Sequence, residues 1–216
     1  SEVVTTTVAM ALSGELAKNG AVSLLEFVEG FVPAVVLGIA FGLALSLSRR
    51  LRYLFDPLLG ALYTAPRVAL IPIFVIWFGV GPQSKVFIVF ISTIFPVLIN
   101  TLTGIEGVDP TWIRAVRAFG ANQLQVARKA ILPGALPTIM AGVRLGLGRA
   151  IVGLIAGEMY VSLAGIGRLV QVYSSAGRAA QIIVLVTLIS VFGFACIALL
   201  RWFEERVAPW RLELEH

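Results

Sequence analysis

The chain has 216 residues, of which 58% are hydrophobic and only 13% charged, about half the charged share of a soluble domain. That shortfall, with a mean hydropathy of +0.94, excludes a water-dissolved globule and fits a bundle of membrane-spanning helices. The net charge of +5 does not point to nucleic acid, because the basic residues lie scattered among apolar runs and form no stripe.

Residues 1–27 are mixed in character. Val3, Val4, Val8, Ala11 and Leu12 recur at helical spacing and Asn19-Gly20 is a turn signal, which predicts an interfacial helix leading into the first span. A bilayer core needs about 20 apolar residues of helix. Val28 to Ser48 supplies the first span and is followed by the basic run Arg49-Arg50-Leu51-Arg52. Asp56-Pro57 reads as the start of the second, with Asp as N-cap and Pro at the first helical position. Pro66 and Pro72 break or bend that run before Phe78, and Gly79-Val80-Gly81-Pro82 closes it. The third span is Val86 to Leu102, with Pro96 inside it. The fourth is Thr138 to Tyr160 and the fifth Gln181 to Phe203. Val161 to Ala180 is too polar and glycine-rich to cross, and reads as a loop with a short helix. Gly38/Gly42, Gly142/Gly146 and Gly153/Gly157 are each four apart, the spacing that lets helix backbones approach closely in lipid.

Charge then orients the chain. With Arg49–Arg52, the Glu106–Pro137 loop and the C-terminal tail in the cytoplasm, ten basic residues fall inside, and only Lys18, Lys85, Arg168 and Arg178 fall outside. The N-terminus is thereby outside, the C-terminus inside, and the spans number five. An outside start without a signal peptide leads to the expectation of a further span before Ser1, six in the native chain. Residues 1–213 read as a single transmembrane domain, with 1–27 as its extracytoplasmic segment and 106–137 as its principal cytoplasmic loop. Leu214-Glu215-His216 resembles the start of a purification tag. Without His216 the chain has no histidine, and its one cysteine, Cys196, lies in an apolar run. This argues against a membrane enzyme, which would need a catalytic constellation.

The loop Asp109 to Pro137 carries the most information. Asp109-Pro110 starts a helix whose Trp112, Ile113, Val116 and Phe119 share a face, and Gly120 ends it. Asn122 with Gln125 forms the pattern of a capping box for a second helix, whose apolar face is Leu124, Ala127 and Ile131. Leu132-Pro133 and Pro137 lead into the fourth span. A helix-turn-helix with an apolar face on the cytoplasmic side needs a partner or the membrane surface to cover it.

This loop resembles the EAA loop of binding-protein-dependent importer permeases: Glu-Ala-Ala, three residues, Gly, nine residues, Ile, one residue, Leu-Pro. Here Arg114-Ala115-Val116 is followed after three residues by Gly120, and after nine more by Ala130, Ile131 and Leu132-Pro133. Arg114, Val116 and Ala130 depart from the pattern, the first by replacing its acidic residue. Phe55-Asp56-Pro57-Leu58-Leu59, Ala65-Pro66-Arg67-Val68-Ala69-Leu70-Ile71-Pro72 and Ile76-Trp77-Phe78-Gly79-Val80-Gly81 are similar to the nitrate/sulfonate/taurine/bicarbonate class of these permeases. So are Gly142-Val143-Arg144-Leu145, Gly148-Arg149-Ala150 and Glu158-Met159.

The resemblance implies an all-α integral membrane protein with the type I importer fold, in the bacterial inner membrane. Arg114, Ala115, Val116, Arg117, Phe119, Gly120, Ala121, Leu132 and Pro133 would dock on an ATPase subunit. It also implies two ATPases, a second permease copy of the same chain and an extracytoplasmic solute-binding protein. ATP and Mg would be held by the ATPases. No Gly-x-x-x-x-Gly-Lys-Ser/Thr pattern occurs on this chain, which agrees with hydrolysis elsewhere. The substrate implied is a small organic or inorganic anion. The alternative is a secondary transporter or channel, which would share broken helices but have no ATPase for the loop to meet.

Four polar residues stand out in or beside the spans: Thr64, Asn100, Arg149 and Glu158. Arg149 lies at the middle of the fourth span, where a charge costs about 2.5–3.5 kcal/mol even on the lenient insertion scale. Glu158 is nine residues on, on the opposite face, so the two make no pair within the helix. Arg149 therefore faces a water-filled pathway, where it would draw an anion, or a carbonyl cluster, or another helix or subunit, where it would form a buried link. The last is favoured, because intramembrane charges commonly pair inside the bundle.

Overall fold

The computed structural model of the chain describes residues 2–207. The tag-like end and Arg211 lie outside them. Among the described residues every regular element is helical: α1 (Glu2–Leu12), α2 (Glu15–Ser46), α3 (Arg49–Thr64), a 3-10 turn (Arg67–Leu70), α4 (Ile71–Phe78), α5 (Pro82–Glu106), α6 (Pro110–Ala118), α7 (Gln123–Val126), a π turn (Ala127–Ile131), α8 (Leu132–Val161), α9 (Ile166–Ser175) and α10 (Ala179–Val207). The stretch Gln123–Val161 is one continuous helix of 39 residues. It, α2, α5 and α10 are each long and apolar enough to cross a membrane. The pair α3 and α4, bent by 88°, supplies the fifth span if counted as one.

The five expected spans are all present, with three local corrections. Asn19-Gly20 does not turn. The chain turns at Ser13-Gly14, where Gly14 takes φ 73°, and α2 runs straight through Asn19. The Asn19 side chain bonds the Glu15 carbonyl at 2.9 Å instead of breaking the helix. Nor does α3 start at Asp56-Pro57. Ser48 caps it, its hydroxyl oxygen accepting from the Leu51 N–H at 3.5 Å. Nothing between Arg49 and Phe55 opposes a helix, so Pro57 falls inside it. Third, Pro72 does not break the second span. It sits in the first turn of α4, where its missing N–H would have no partner anyway. The break falls at Ala65-Pro66, and Gly79 at φ 78° ends α4 as expected.

The helices divide into two units, each with its own core. The first contains the chain up to Ala34, Pro66–Thr93 and Leu147–Cys196. Met10, Ile166, Leu169, Val184 and Leu185 form one of its clusters, and Ile71, Phe74 and Ile88 another. Phe74 and Phe78 both rest on Phe87, with ring centres 5.0 and 4.8 Å apart. The second unit contains, among the described residues, Val35–Ala65, Ile94–Gly146 and 197–207. Its clusters are Leu59, Leu98 and Leu102, and Val108, Ala135 and Ile139.

Glycine allows close helix contact in both. In the second unit a Cβ at Gly38 or Gly42 would come within 3.0 Å of Val97 or Thr101 on α5, and one at Gly142 would strike Asn100. In the first, Gly153 faces Ser92 and Gly157 faces Ile88. The small-residue pairs therefore mark real packing seams.

Candidate functional site

The loop between α5 and α8 folds largely by local rules. Asp109 accepts a hydrogen bond from the Thr111 N–H at 2.7 Å, and Pro110 follows at the first helical position. That backbone bond, with a further one from the Thr111 side chain, holds the Asp109 carboxyl below the usual carboxylate range. Helix α6 ends at Phe119, and Gly120 turns the chain at φ 79°. The capping box forms: the Gln125 N–H donates to Asn122 Oδ1 at 2.9 Å, and the Asn122 N–H donates to Gln125 Oε1 at 2.8 Å.

The helix then widens into the π turn Ala127–Ile131, closed by the Leu132 N–H on the Ala127 carbonyl. Pro133, which lacks an N–H and crowds the preceding turn, follows at once, so the wide turn accommodates it without breaking the helix. Gly134 lets Val108 and the Trp112 ring approach, a Cβ there lying 3.1–3.5 Å from them. Ile113 and Ile131 pack on the cluster of Val108, Ala135 and Ile139.

The apolar faces differ in part from those expected. Val126 and Ala130 are the buried residues of the second helix, and Leu124 is 59% exposed. The π turn rotates the face that the plain helical count put at Leu124, Ala127 and Ile131. Of the nine docking candidates, Arg114, Ala115, Arg117, Phe119, Gly120 and Leu132 are exposed, and Val116, Ala121 and Pro133 are half-buried. Arg114 bonds only within its own turn, to the Thr111 hydroxyl at 3.2 Å. Phe119 stands 93% exposed at the tip.

The four intramembrane candidates fall two to each unit, Thr64 and Asn100 in the second and Arg149 and Glu158 in the first. Thr64 bonds back to its own helix, to the Gly60 and Ala61 carbonyls. Asn100 bonds the Pro96 carbonyl at 2.8 Å. Arg149 is half-buried and engaged in a polar interaction. Glu158 is fully buried with both oxygens in use, accepting from the Ser23 hydroxyl at 2.6 Å and from the Gly167 N–H at 2.7 Å.

Set against known families, residues 34–211 match the model described as binding-protein-dependent transport system inner membrane component. The chain belongs to this family. It is a multi-pass inner-membrane permease subunit of an ATP-binding cassette importer, and the secondary-transporter alternative is set aside.

Among its relatives is the taurine transport system permease protein of Escherichia coli (strain K12). That protein is 35% identical over 90% of this chain and 71% of its own length. A putative aliphatic sulfonates transport permease protein of Bacillus subtilis (strain 168) is 32% identical over 95% of this chain and 75% of its own length. The fold is shared with an inward-facing MetNI methionine ABC transporter at TM-score 0.67 and 19% identity, covering 92% of this chain and 94% of that one.

The permease also holds a polar cluster that sequence reasoning missed. Glu158 is its centre, at the α8–α9 junction. Ser23 of α2 receives the Ile166 N–H at 2.9 Å while donating to Glu158, and Asn19 receives the Gly165 N–H at 2.8 Å. Beside them Lys85 of α5, 3% exposed, pairs with Glu26, 2% exposed, and donates to the Ser162 hydroxyl at 2.8 Å. Every orphan N–H at the start of α9 that these bonds reach is thus satisfied from α2 or α8. One signal was available: Asn19, Ser23 and Glu26 recur at four and three residues, one polar stripe on an otherwise apolar helix. Ion pairs Arg52–Glu106 and Arg144–Glu204, the latter at 3.3 Å, were likewise not foreseen.

Proposed function

We propose that this permease forms half of the pathway of an importer for a small organic anion, with a sulfonate the leading class, and that its Asp109–Pro137 loop receives the ATPase stroke. The relatives named for taurine and aliphatic sulfonates support the substrate class. The observation that carries the coupling is Phe119, 93% exposed at the tip of a loop whose two helix starts are both capped. A large aromatic side chain held out on a rigid turn is the form of an interface anchor. Phe119, Gly120 and Ala121 enter a cleft of the ATPase, with Arg114, Ala115, Val116, Arg117, Leu132 and Pro133 around it. ATP and Mg belong to that partner.

Two ATPases, a second copy of this chain and a solute-binding protein complete the assembly. The loop faces the cytoplasm together with the end of α10, and Ser174 faces outside. Arg149, Asn100 and Thr64 are the polar groups nearest a pathway role, and Glu158 serves inside the protein.

The test uses a Cys196→Ala background with single cysteines. Phe119→Cys should cross-link to the partner ATPase in membranes, and Gln123→Cys and Ser174→Cys should label from opposite sides. A Phe119→Cys that never reaches the ATPase, in a complex that still transports, removes the loop from coupling. Labelling of both other sites from outside overturns the orientation.

A further inference from the structure

The first unit holds a half-open cavity of about 420 Å³ between α2, α8, α9 and α10. Leu16, Gly20, Ile155, Leu188 and Phe192 are among its walls, and Ser23 is its one polar side chain. The Ser23 proton is already given to Glu158, and its oxygen already accepts from the Ile166 N–H. A hydroxyl has one proton to give, so the cavity offers an anionic substrate no side-chain donor. A water molecule there would find one spare lone pair, where it needs two to four partners. The side chains of the wall therefore favour an apolar occupant.

An empty space of this size would forfeit dispersion contacts along its whole lining. Its α10 wall belongs to a span whose apolar window is only 11% buried inside the protein. Ile183, Val186, Val191 and Phe194 of that helix are at least half exposed, the surface that bilayer hydrocarbon covers in an inner-membrane protein. Leu188, Ile189 and Phe192 of that same helix line the cavity.

We infer that the cavity is a lipid site, filled by one acyl chain of a bilayer phospholipid. The chain lies between α2 and α10 and supports the α9 segment that Glu158 and Ser23 pin. The site is independent of the transported substrate and of the loop between α5 and α8.

Gly20 provides the means to close it. A Cβ built there meets no atom within 4 Å, and Gly20 lines the cavity, so a leucine side chain starts in open space and occupies it. The complete transporter is reconstituted in nanodiscs of phosphatidylglycerol carrying a diazirine on its acyl chain, illuminated and mapped by mass spectrometry. The wild type should be labelled at peptides around Gly20 and around Leu188–Phe192. Gly20→Leu should reduce that labelling to the unilluminated level and leave labelling at the exposed Phe194 unchanged. Ile155→Ala, which enlarges the cavity, should raise it, and decides the matter should Gly20→Leu fail to assemble. No labelling around Gly20 in the wild type means that a protein segment or a second copy fills the space, and overturns the site. Equal labelling in wild type and both variants overturns it as well.

Discussion

The loop from Asp109 to Pro137 and the cluster around Glu158 are both polar constructions on an apolar protein, but they are assembled by opposite means. In the loop, each bond that fixes the backbone joins residues at most five apart: Asp109 to Thr111, Asn122 to Gln125, Leu132 to Ala127. In the cluster the bonds leap from residue 23 to 158 and 166, from 19 to 165, and from 85 to 162. The first kind forms a surface that a partner can press, because its turns and caps are set locally even though Ile113 and Ile131 rest on the core. The second exists only when four helices have already met, so it reports and secures their assembly.

The largest effect is expected where the long-range bonds converge. Glu158→Ala leaves the Ser23 hydroxyl and the Gly167 N–H buried without acceptors. At roughly 1–3 kcal/mol for each of the two orphaned groups, the cost is about 2–6 kcal/mol. The thermal midpoint of the purified permease should fall and protease should reach α9, while the loop between α5 and α8 keeps its cross-link to the ATPase. Glu158→Gln should recover part of the loss, since its amide oxygen can still accept from Gly167. An unchanged midpoint in Glu158→Ala would mean the cluster contributes nothing to assembly, and the contrast with the loop collapses.

That contrast also explains what the sequence could disclose. The spans were legible from apolar length, the packing seams from glycine spacing and the loop from its caps, since each signal lies within a few residues. The start of α3 was misplaced because Asp56-Pro57 is a sound local signal that Ser48 pre-empts eight residues earlier. Leu124 was misassigned because a π turn adds a residue to the helical count, and nothing in the composition of Ala127–Ile131 announces one. Glu158 was visible as a charge within a span, but its partners lie on α2 and in the α8–α9 turn. No reading of one helix finds them. Lys85 looked like a loop charge until Glu26 was found beside it.

A second, smaller effect tests the loop. Gly120 has open space around its Cβ position, so only its φ of 79° resists substitution. Gly120→Val should cost about 1–2 kcal/mol of backbone strain and uncouple substrate-stimulated ATP hydrolysis while insertion stays normal. Gly120→Asn should lie between, because asparagine tolerates the left-handed region. Equal loss in the two variants would show that side-chain bulk at the ATPase, not backbone shape, is what matters.

Arg149 tests whether the division between local surface and long-range core extends to the middle of the membrane. If it links helices or subunits, Arg149→Ala lowers the yield of assembled transporter and Arg149→Lys restores it only in part, since lysine lacks the planar fork. Assembly unchanged with anion uptake lost would assign Arg149 to the pathway. The measurement is the amount of complex recovered on gel filtration, set against uptake per complex in vesicles.

The smallest effect is at Asp109, where a purely local bond predicts a purely local response. Its carboxyl is held below the usual range by the Thr111 N–H. The folded form therefore prefers the ionised group. Its stabilising contribution is complete above the unfolded value of about 3.9 and is lost as pH falls through the lower, folded value. Hydrogen exchange at the first turn of α6, corrected for intrinsic rate, should be flat from neutral pH down to about pH 4 and rise below it. Asp109→Asn keeps an acceptor oxygen for Thr111 but has nothing to protonate, so its protection should lose the acid limb. Asp109→Ala should fray that turn at every pH. None of the three should alter protection of α9, because no bond of the cap reaches beyond its own turn. Should α9 respond to Asp109, the loop and the cluster are coupled, and the separation between local and long-range construction fails at its weakest joint.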